Sequence, residues 1–368
     1  MRPRENQNLQ FKRRDFLKIA GLASAGLGLL PKTLAEAVAT STKVKLKLGM
    51  DNFAVRAMGW KAGALLDYAA SLKLDSLFIT DLDAFENHES TYLREVKTKA
   101  DGLGVGIHLG TWSICPSAKG FKNKWGTAEE HLALGIRMAK DLGSPVIRVV
   151  LGGGEDRKSA GGIEARIAET VKVCQACRTR AVEAGVKIAV ENHAGDMQAW
   201  ELVTLIEAAG KDYVGANVDS GNACWTLEDP LANLELLAPY ALSTSLRDSM
   251  VWESEKGAMV QWTAMGEGCV DLKAYFGRFA ELCPQVPVHI ETISGFAREF
   301  AYLNPEIWKA FPKARASEFA RFVALAKRGK AMPSHKSADA KAEQDYQKGE
   351  LERSIRYCKE TLGLGQKA

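Results

Sequence analysis

Three carboxylates carry the first chemical reading. Glu191, Asp219 and Glu291 each close a short apolar segment: 186–191, 214–219 and 286–291. Taken singly, each would be expected to pair with a nearby Arg or Lys. Three carboxylates aimed into one mouth repel strongly unless protons or a cation intervene. A hard divalent ion with oxygen ligands, and at most one imidazole, meets that need. His193 follows Glu191 by two and is placed to face the same cavity; Asn222 follows Asp219 by three. Arg148 and Arg247 lie in segments of the same kind. Each is positioned either to hold substrate oxygens or to neutralise the carboxylates. His108, near the end of segment 103–109, has the inward phase of a substrate contact or of a packed core histidine. His289 sits two positions before Glu291, one side-chain layer deeper, and suits a supporting or core role. Trp112, Trp225, Trp252 and Trp262 fall in expected loops. Each alone reads as packing, and together they suit the wall of a sugar cleft. Gly152-Gly153-Gly154 could offer backbone N–H groups to an anion, but it lacks the Lys-Ser/Thr of a phosphate loop and reads as a turn.

These residues need a frame that brings distant stretches together. Eight segments rich in Val, Ile and Leu recur: 44–50, 75–80, 103–109, 146–151, 186–191, 214–219, 241–247 and 286–291. Between them, apolar residues at i, i+3 and i+4 predict helices over 62–72, 129–142, 163–184 and 200–209. Gly104, Gly143 and Gly185 stand where a helix ends before a strand. Strands alternating with helices imply a parallel sheet, and eight units predict a closed (β/α)8 barrel. The open doubly wound alternative lacks a GxGxxG after its first strand. Segments 186–191, 214–219, 241–247 and 286–291 alternate with period two. Their polar set is expected to face the barrel axis and to end at the C-terminal rim, where barrel enzymes keep their active sites.

The whole chain has 368 residues, 46% hydrophobic and 26% charged, which excludes wholesale disorder. The net charge of +4 is local. Residues 1–39 hold seven Lys/Arg against three Asp/Glu, leaving 42 of each in the remainder. A neutral body argues against a nucleic-acid partner. Residues 1–39 read as a cleavable export signal. Arg13-Arg14 with Phe16-Leu17-Lys18 looks like the twin-arginine motif, followed by a short Gly/Ala-rich apolar run and small residues at Ala35, Ala37 and Ala39. That run is too short for a good membrane span, so no stable membrane anchor is expected. The expected partners are the twin-arginine machinery and a small molecule; the expected location is periplasmic or secreted. Seven Cys do not form a disulfide framework here, and Cys174 and Cys177 read as buried helix surface. Residues 40–330 are read as the barrel. The stretch 331–368 is a linker over 331–341 followed by a helix over 345–362, a C-terminal helical extension.

Five ordered motifs add a resemblance. They are Ala189-Val190-Glu191-Asn192-His193, Asn217-Val218-Asp219-Ser220-Gly221-Asn222, Ser245-Leu246-Arg247-Asp248-Ser249, Met265-Gly266-Glu267-Gly268 and His289-Ile290-Glu291. Together they resemble the sugar isomerase/epimerase superfamily of xylose-isomerase-like TIM barrels, over about 46–291. The resemblance implies one divalent metal (Mn, Mg, Co or Zn) held by Glu191, Asp219 and Glu291. It implies that Glu191 and Glu291 move the carbon-bound proton and that Asn222 touches substrate. The family's usual His on strand seven is Ser245 here, leaving the fourth position to water or His193. The implied activity is isomerisation or epimerisation of a non-phosphorylated sugar or keto-sugar. A lyase or dehydratase on an oxidised sugar or glycoside uses the same parts, and a carbohydrate-binding barrel without turnover is the non-enzyme alternative. The family's endonucleases need several His ligands for a zinc cluster. Asn222, Ser245 and the neutral charge speak against that branch.

Overall fold

The computed structural model describes residues 45–367; the segment read as an export signal lies outside them. Strands β1 (Leu48–Asp51), β2 (Ser76–Ile79), β3 (Gly106–Ser113), β4 (Val146–Val150), β5 (Lys187–Glu191), β6 (Val214–Val218) and β7 (Ala241–Thr244) lie side by side in chain order. Strands β8 (Asp248–Ser254) and β9 (Gly257–Thr263) then form a hairpin outside the barrel. Strand β10 (Val288–Ile290) returns beside β1, and β11 (Ala297–Phe300) joins the hairpin. All eight barrel strands are parallel. Between β7 and β10 the ring is closed at Leu246, whose N–H donates to His289 O (2.8 Å) and whose O accepts from Glu291 N–H (2.9 Å).

Helices α1 (Ala62–Ser71), α2 (Ser90–Leu103), α3 (Ala128–Leu142), α4 (Gly162–Ala176), α5 (Arg178–Ala184), α6 (Ala199–Ala209), α7 (Ser220–Trp225), α8 (Pro230–Leu237) and α9 (Leu272–Leu282) occupy the connections. Local chemistry sets their ends. Thr127 and Glu130 form a reciprocal capping box at the start of α3, and Gly143, at φ 69°, ends it in the left-handed conformation. The helix expected over 163–184 is two helices, broken at Cys177, whose N–H is shared between Val173 O and Cys174 O. Cys174 and Cys177 are buried, and all seven cysteines are free thiols.

One apolar core lies between barrel and helices. A second, smaller core sits above the C-terminal rim, where Trp225, Val251, Val260, Trp262, Phe300, Phe311 and Phe322 pack together. The β8–β9–β11 sheet and α10 (Ala316–Ala326) build it. The sequence reading placed loops here, because Met250-Val251-Trp252 and Ala258-Met259-Val260 are apolar runs without alternation on either side of the turn at Glu255-Lys256. Gly257 is required there, because a Cβ would lie 2.2 Å from Phe300 O.

The C-terminal helix, α11 (Ala340–Glu360), lies against the barrel. Leu351, Ile355 and Cys358 enter the main core, Ser354 Oγ accepts from Met265 N–H (3.0 Å), and Gln347 Oε1 accepts from Ala57 N–H (2.9 Å). The stretch before it has no regular element but is tied down. His335 N–H donates to Gly295 O (2.6 Å), and its ring stacks on Tyr346 at 3.5 Å. Among the described residues, no helix is long and apolar enough to cross a membrane.

Candidate active site

Glu191 ends β5, Asp219 follows β6 and Glu291 follows β10, so three separate strands deliver one carboxylate each to the C-terminal rim. Their oxygens lie within 4.8 Å of one another. All three are buried, at 1%, 0% and 3% exposure. Glu191 and Glu291 line a cavity of about 270 Å³ walled by Phe53, Trp112, Trp225, Trp262, Ile293 and Phe296, and Asp219 is buried beside them.

The inward polar layer beneath them follows from strand alternation. Asn217 Nδ2 donates to Glu191 Oε2 (3.0 Å), and Ser243 Oγ donates to Asn217 Oδ1 (2.7 Å). Asn222, in the first turn of α7, donates its backbone N–H to Asp219 Oδ1 (2.9 Å). Its Nδ2 donates to Asp219 Oδ2 (2.7 Å) and Glu191 Oε1 (3.2 Å), while its Oδ1 faces no protein donor.

Two buried guanidiniums complete the charge pattern. Arg148 Nε lies 2.6 Å from Glu191 Oε2, and its Nη1 donates to Thr111 O (2.9 Å). Arg247 Nη2 bridges Asp219 Oδ2 and Glu291 Oε2. The Arg247 guanidinium lies over the Trp262 ring, 4.5 Å from its centroid, and its Nε and Nη1 have no protein partner. Gly221 makes room for it, since a Cβ there would lie 2.4 Å from Arg247 Cγ. Of the two roles open for the arginines, the geometry has carboxylate pairing, with part of Arg247 unspent.

A fourth carboxylate, Asp51, was not singled out in the sequence. It ends β1, accepts from Phe53 N–H (2.8 Å), Thr80 Oγ1 (3.2 Å) and Ser245 Oγ (3.2 Å), and is fully buried. Its signal was an acidic residue at the end of the first strand, one position past the 44–50 segment. Ser245, at the place of the family's usual His, is engaged in bracing: it also accepts from Asn217 Nδ2 (3.2 Å).

Burial and mutual repulsion push Asp51, Asp219 and Glu291 toward protonation. Asp219 is raised to about 8, by burial first, with Arg247 opposing and Glu191 and Glu291 adding to the rise. Glu291 is raised by burial against the pull of Arg247, and Asp51 well above its ordinary range by burial and Glu291. For Arg148 and Arg247 burial opposes the charge, but the surrounding carboxylates outweigh it and hold both protonated.

His193 lines the cavity, and its Nδ1–H donates to Gly152 O (2.7 Å). Burial and Arg148 lower its pKa to about 4. The neutral ring therefore leaves Nε2 as an acceptor or ligand atom. His108 is not at the rim. Strand β3 runs on to Ser113, so His108 lies inside the barrel, its ring 4.7 Å from His289 and 6.0 Å from Phe78. His289 pairs with Ser76 Oγ (3.0 Å) in the same interior layer. Of the four tryptophans, Trp112, Trp225 and Trp262 line the cavity, and Trp252 does not. Trp225 and Trp262 stack at 4.2 Å, with Phe296 edge-on to both. The glycine triplet is a turn whose N–H groups are already taken, by Asp196, Asp156 and Ala194 O.

The donor set fits a hard divalent cation: three clustered carboxylate oxygens, with His193 Nε2 in the same cavity. Four carboxylates against two guanidiniums also leave two negative charges when all are ionised. The bridging end of Arg247 has to swing aside for an ion to reach Asp219 and Glu291.

Solved structures share the fold. D-psicose 3-epimerase matches with TM-score 0.57 at 13% identity, covering 86% of this chain and 100% of its own. A protein solved with a bound zinc atom matches with TM-score 0.54 at 14% identity, covering 78% and 100%. The 3-keto-D-glucoside 4-epimerase of E. coli matches with TM-score 0.52 at 11% identity, covering 77% and 99%. No curated protein sequence matches the chain significantly. The family profile described as xylose isomerase-like TIM barrel matches residues 66–311, two-thirds of the sequence. With that span matched and the eight-stranded barrel in place, the chain belongs to the xylose isomerase-like TIM barrel family.

Proposed function

We propose that the protein is a metal-dependent isomerase or epimerase. It removes and returns a proton on the carbon beside the carbonyl of a non-phosphorylated sugar or keto-sugar. The observation that carries this reading is the convergence of Glu191, Asp219 and Glu291 beside an aromatic-walled cavity at the barrel's C-terminal rim. The names of the fold neighbours, a psicose 3-epimerase and a 3-keto-glucoside 4-epimerase, agree with it.

Glu191, Asp219 and Glu291 would hold the ion, which supplies a Lewis acid for a carbonyl and its neighbouring hydroxyl. Glu191 and Glu291, arriving from different strands, are the groups that take the carbon-bound proton and return it. Arg148 and Arg247 bring positive charge to the oxygen side of the substrate, where negative charge develops. His193 Nε2 and Asn222 Oδ1 accept hydrogen bonds from substrate hydroxyls. Trp225, Trp262 and Phe296 cover the apolar face of the ring and exclude water.

Deuterium uptake from D2O, followed by NMR, tests this. In Mn2+- or Mg2+-loaded protein, a panel including D-psicose, D-fructose, D-tagatose and 3-keto-glucosides is expected to incorporate deuterium beside the carbonyl. Glu191→Gln and Glu291→Gln are each expected to slow uptake by about 10²–10⁴-fold. Absence of uptake across the panel would sink the reading. Loss of water from the product would mark a lyase, which uses the same proton abstraction. A binding protein without turnover is the second reading, favoured by the Arg247 bridge and the engaged Ser245. Stoichiometric sugar binding with neither metal nor uptake would establish it.

We also propose export by the twin-arginine route, on Arg13-Arg14 and the apolar run behind them. Export suits a non-phosphorylated substrate, because sugar phosphates are mainly cytoplasmic. Cell fractionation of wild type and an Arg13→Lys, Arg14→Lys variant tests it; equal cytoplasmic retention of both overturns it.

A further inference from the structure

The cavity holding the carboxylates opens beside a larger one of about 440 Å³, and Trp112 and His193 line both. The outer cavity is walled by Asp81, Asp83, Lys122, Lys124, Trp125 and His131. Trp112 is fixed between the two: its Nε1 donates to Asp81 Oδ2 (3.2 Å), and Phe53 packs edge-on against it at 5.6 Å.

Three features of the outer cavity describe an occupant. Trp125 is a half-buried ring, held by His88 at 4.9 Å and by Lys124 at 4.8 Å. His131, 3% exposed, is paired through Nε2 with Thr111 Oγ1 (2.6 Å), while its buried Nδ1 has no protein partner. Burial lowers its pKa to about 4, so the ring is neutral. Both charge signs are present, and Lys124 is paired with Asp83. Aromatic surface, a neutral imidazole and balanced charge suit a polyol. An anion would meet Asp81 and Asp83, and a lipid chain would meet four charged side chains.

Resting on the sugar chemistry proposed above, we infer that the substrate is a disaccharide or a glycoside carrying a second sugar. The reacting ring lies over Glu191 and Glu291, and the second ring lies beyond Trp112, between Trp125 and His131. The inner cavity alone falls just below the range of about 300–1,000 Å³ common for small-molecule sites. The outer one supplies the missing space.

Isothermal titration of the full chain, with and without Mn2+, tests this with maltose, cellobiose, lactose and lactulose, which all have a carbonyl in their open form, against their component monosaccharides. At least one disaccharide is expected to bind tenfold or more tightly than either component, a difference of about 1.4 kcal/mol. Trp125→Ala is expected to bring that ratio toward one, and Lys122→Ala, on an exposed side chain, to lower it where the first variant folds poorly. A ratio near one in wild type, or a ratio unchanged in both variants, overturns the inference. Deuterium uptake separates the two readings. A disaccharide that binds without uptake retires the proton-transfer reading alone. Uptake into monosaccharides without disaccharide preference retires the second ring alone. Binding of neither size retires both.

Discussion

Arg247 is the residue on which the site's charge balance turns. It spans Asp219 and Glu291, two buried carboxylates. Removing one partner of a buried ion pair leaves an uncompensated charge and costs about 3–5 kcal/mol. Arg247→Ala is therefore expected to lose about that much stability without metal, measured by urea unfolding. Saturating Mn2+ should restore most of the loss, because a divalent ion can take the vacated place between the two acids. Wild type should gain less from the metal, since its guanidinium must first be displaced. Equal metal responses in the two proteins would contradict this balance. Ser245 matters at the same scale: a His there would bring another ligand atom, whereas the hydroxyl only braces Asp51 and Asn217.

Among the elements, the β6–α8 connection carries a titrating brace. Glu228 accepts from Ala199 N–H (3.0 Å), Thr226 Oγ1 (3.0 Å) and Asn233 Nδ2 (3.1 Å), and burial raises its pKa to about 8. Its folded pKa is above the unfolded value. Its contribution to stability is thus present in full below about pH 4.5 and lost as pH rises through 8. Glu228→Gln should flatten the decline in unfolding free energy between pH 5 and 8; an unchanged slope would clear Glu228 of that role. How far these elements were legible follows from their surroundings. Strands β5 to β7 and β10 declared themselves, since Asn217, Ser243 and His289 alternate with apolar neighbours that face the helices. The triad was legible for the same reason, being polar residues at matching strand ends. Asp51 was missed because nothing local tells where a four-residue strand stops. The roles of Arg148 and Arg247 stayed open because alternation fixes which way a side chain points and not which partner it meets. The hairpin at 248–263 was passed over as loop because its strands carry apolar runs, Met250-Val251-Trp252 and Ala258-Met259-Val260, without a period of two, and because it leaves the barrel and breaks the strand–helix rhythm.

Across the whole molecule, long-range ties hold the rim together. Arg157 pairs with Glu201 through Nη1 and Nη2 (2.6 and 2.8 Å), donates from Nη1 to Asp196 O (2.6 Å) and from Nε to Ala310 O (2.7 Å), and lies over the Phe311 ring. One side chain thus joins the loop after β4, the start of α6 and the C-terminal segment. Arg157→Ala should cost about 3–5 kcal/mol in urea unfolding; a loss below about 1 kcal/mol would show that the tie is redundant. The ring of strands has its thinnest seam at Leu246, and the two amides that make backbone-to-backbone bonds across it there belong to Leu246 and Glu291. One neighbours Arg247 along the backbone, and the other carries the Glu291 carboxylate itself. Any shift of the guanidinium is therefore felt at this stitch, and an ion that pins the Glu291 carboxylate in its place should slow its opening. Amide-hydrogen protection at positions 246 and 291 becomes a gauge of occupancy built into the backbone, readable even when no substrate is known.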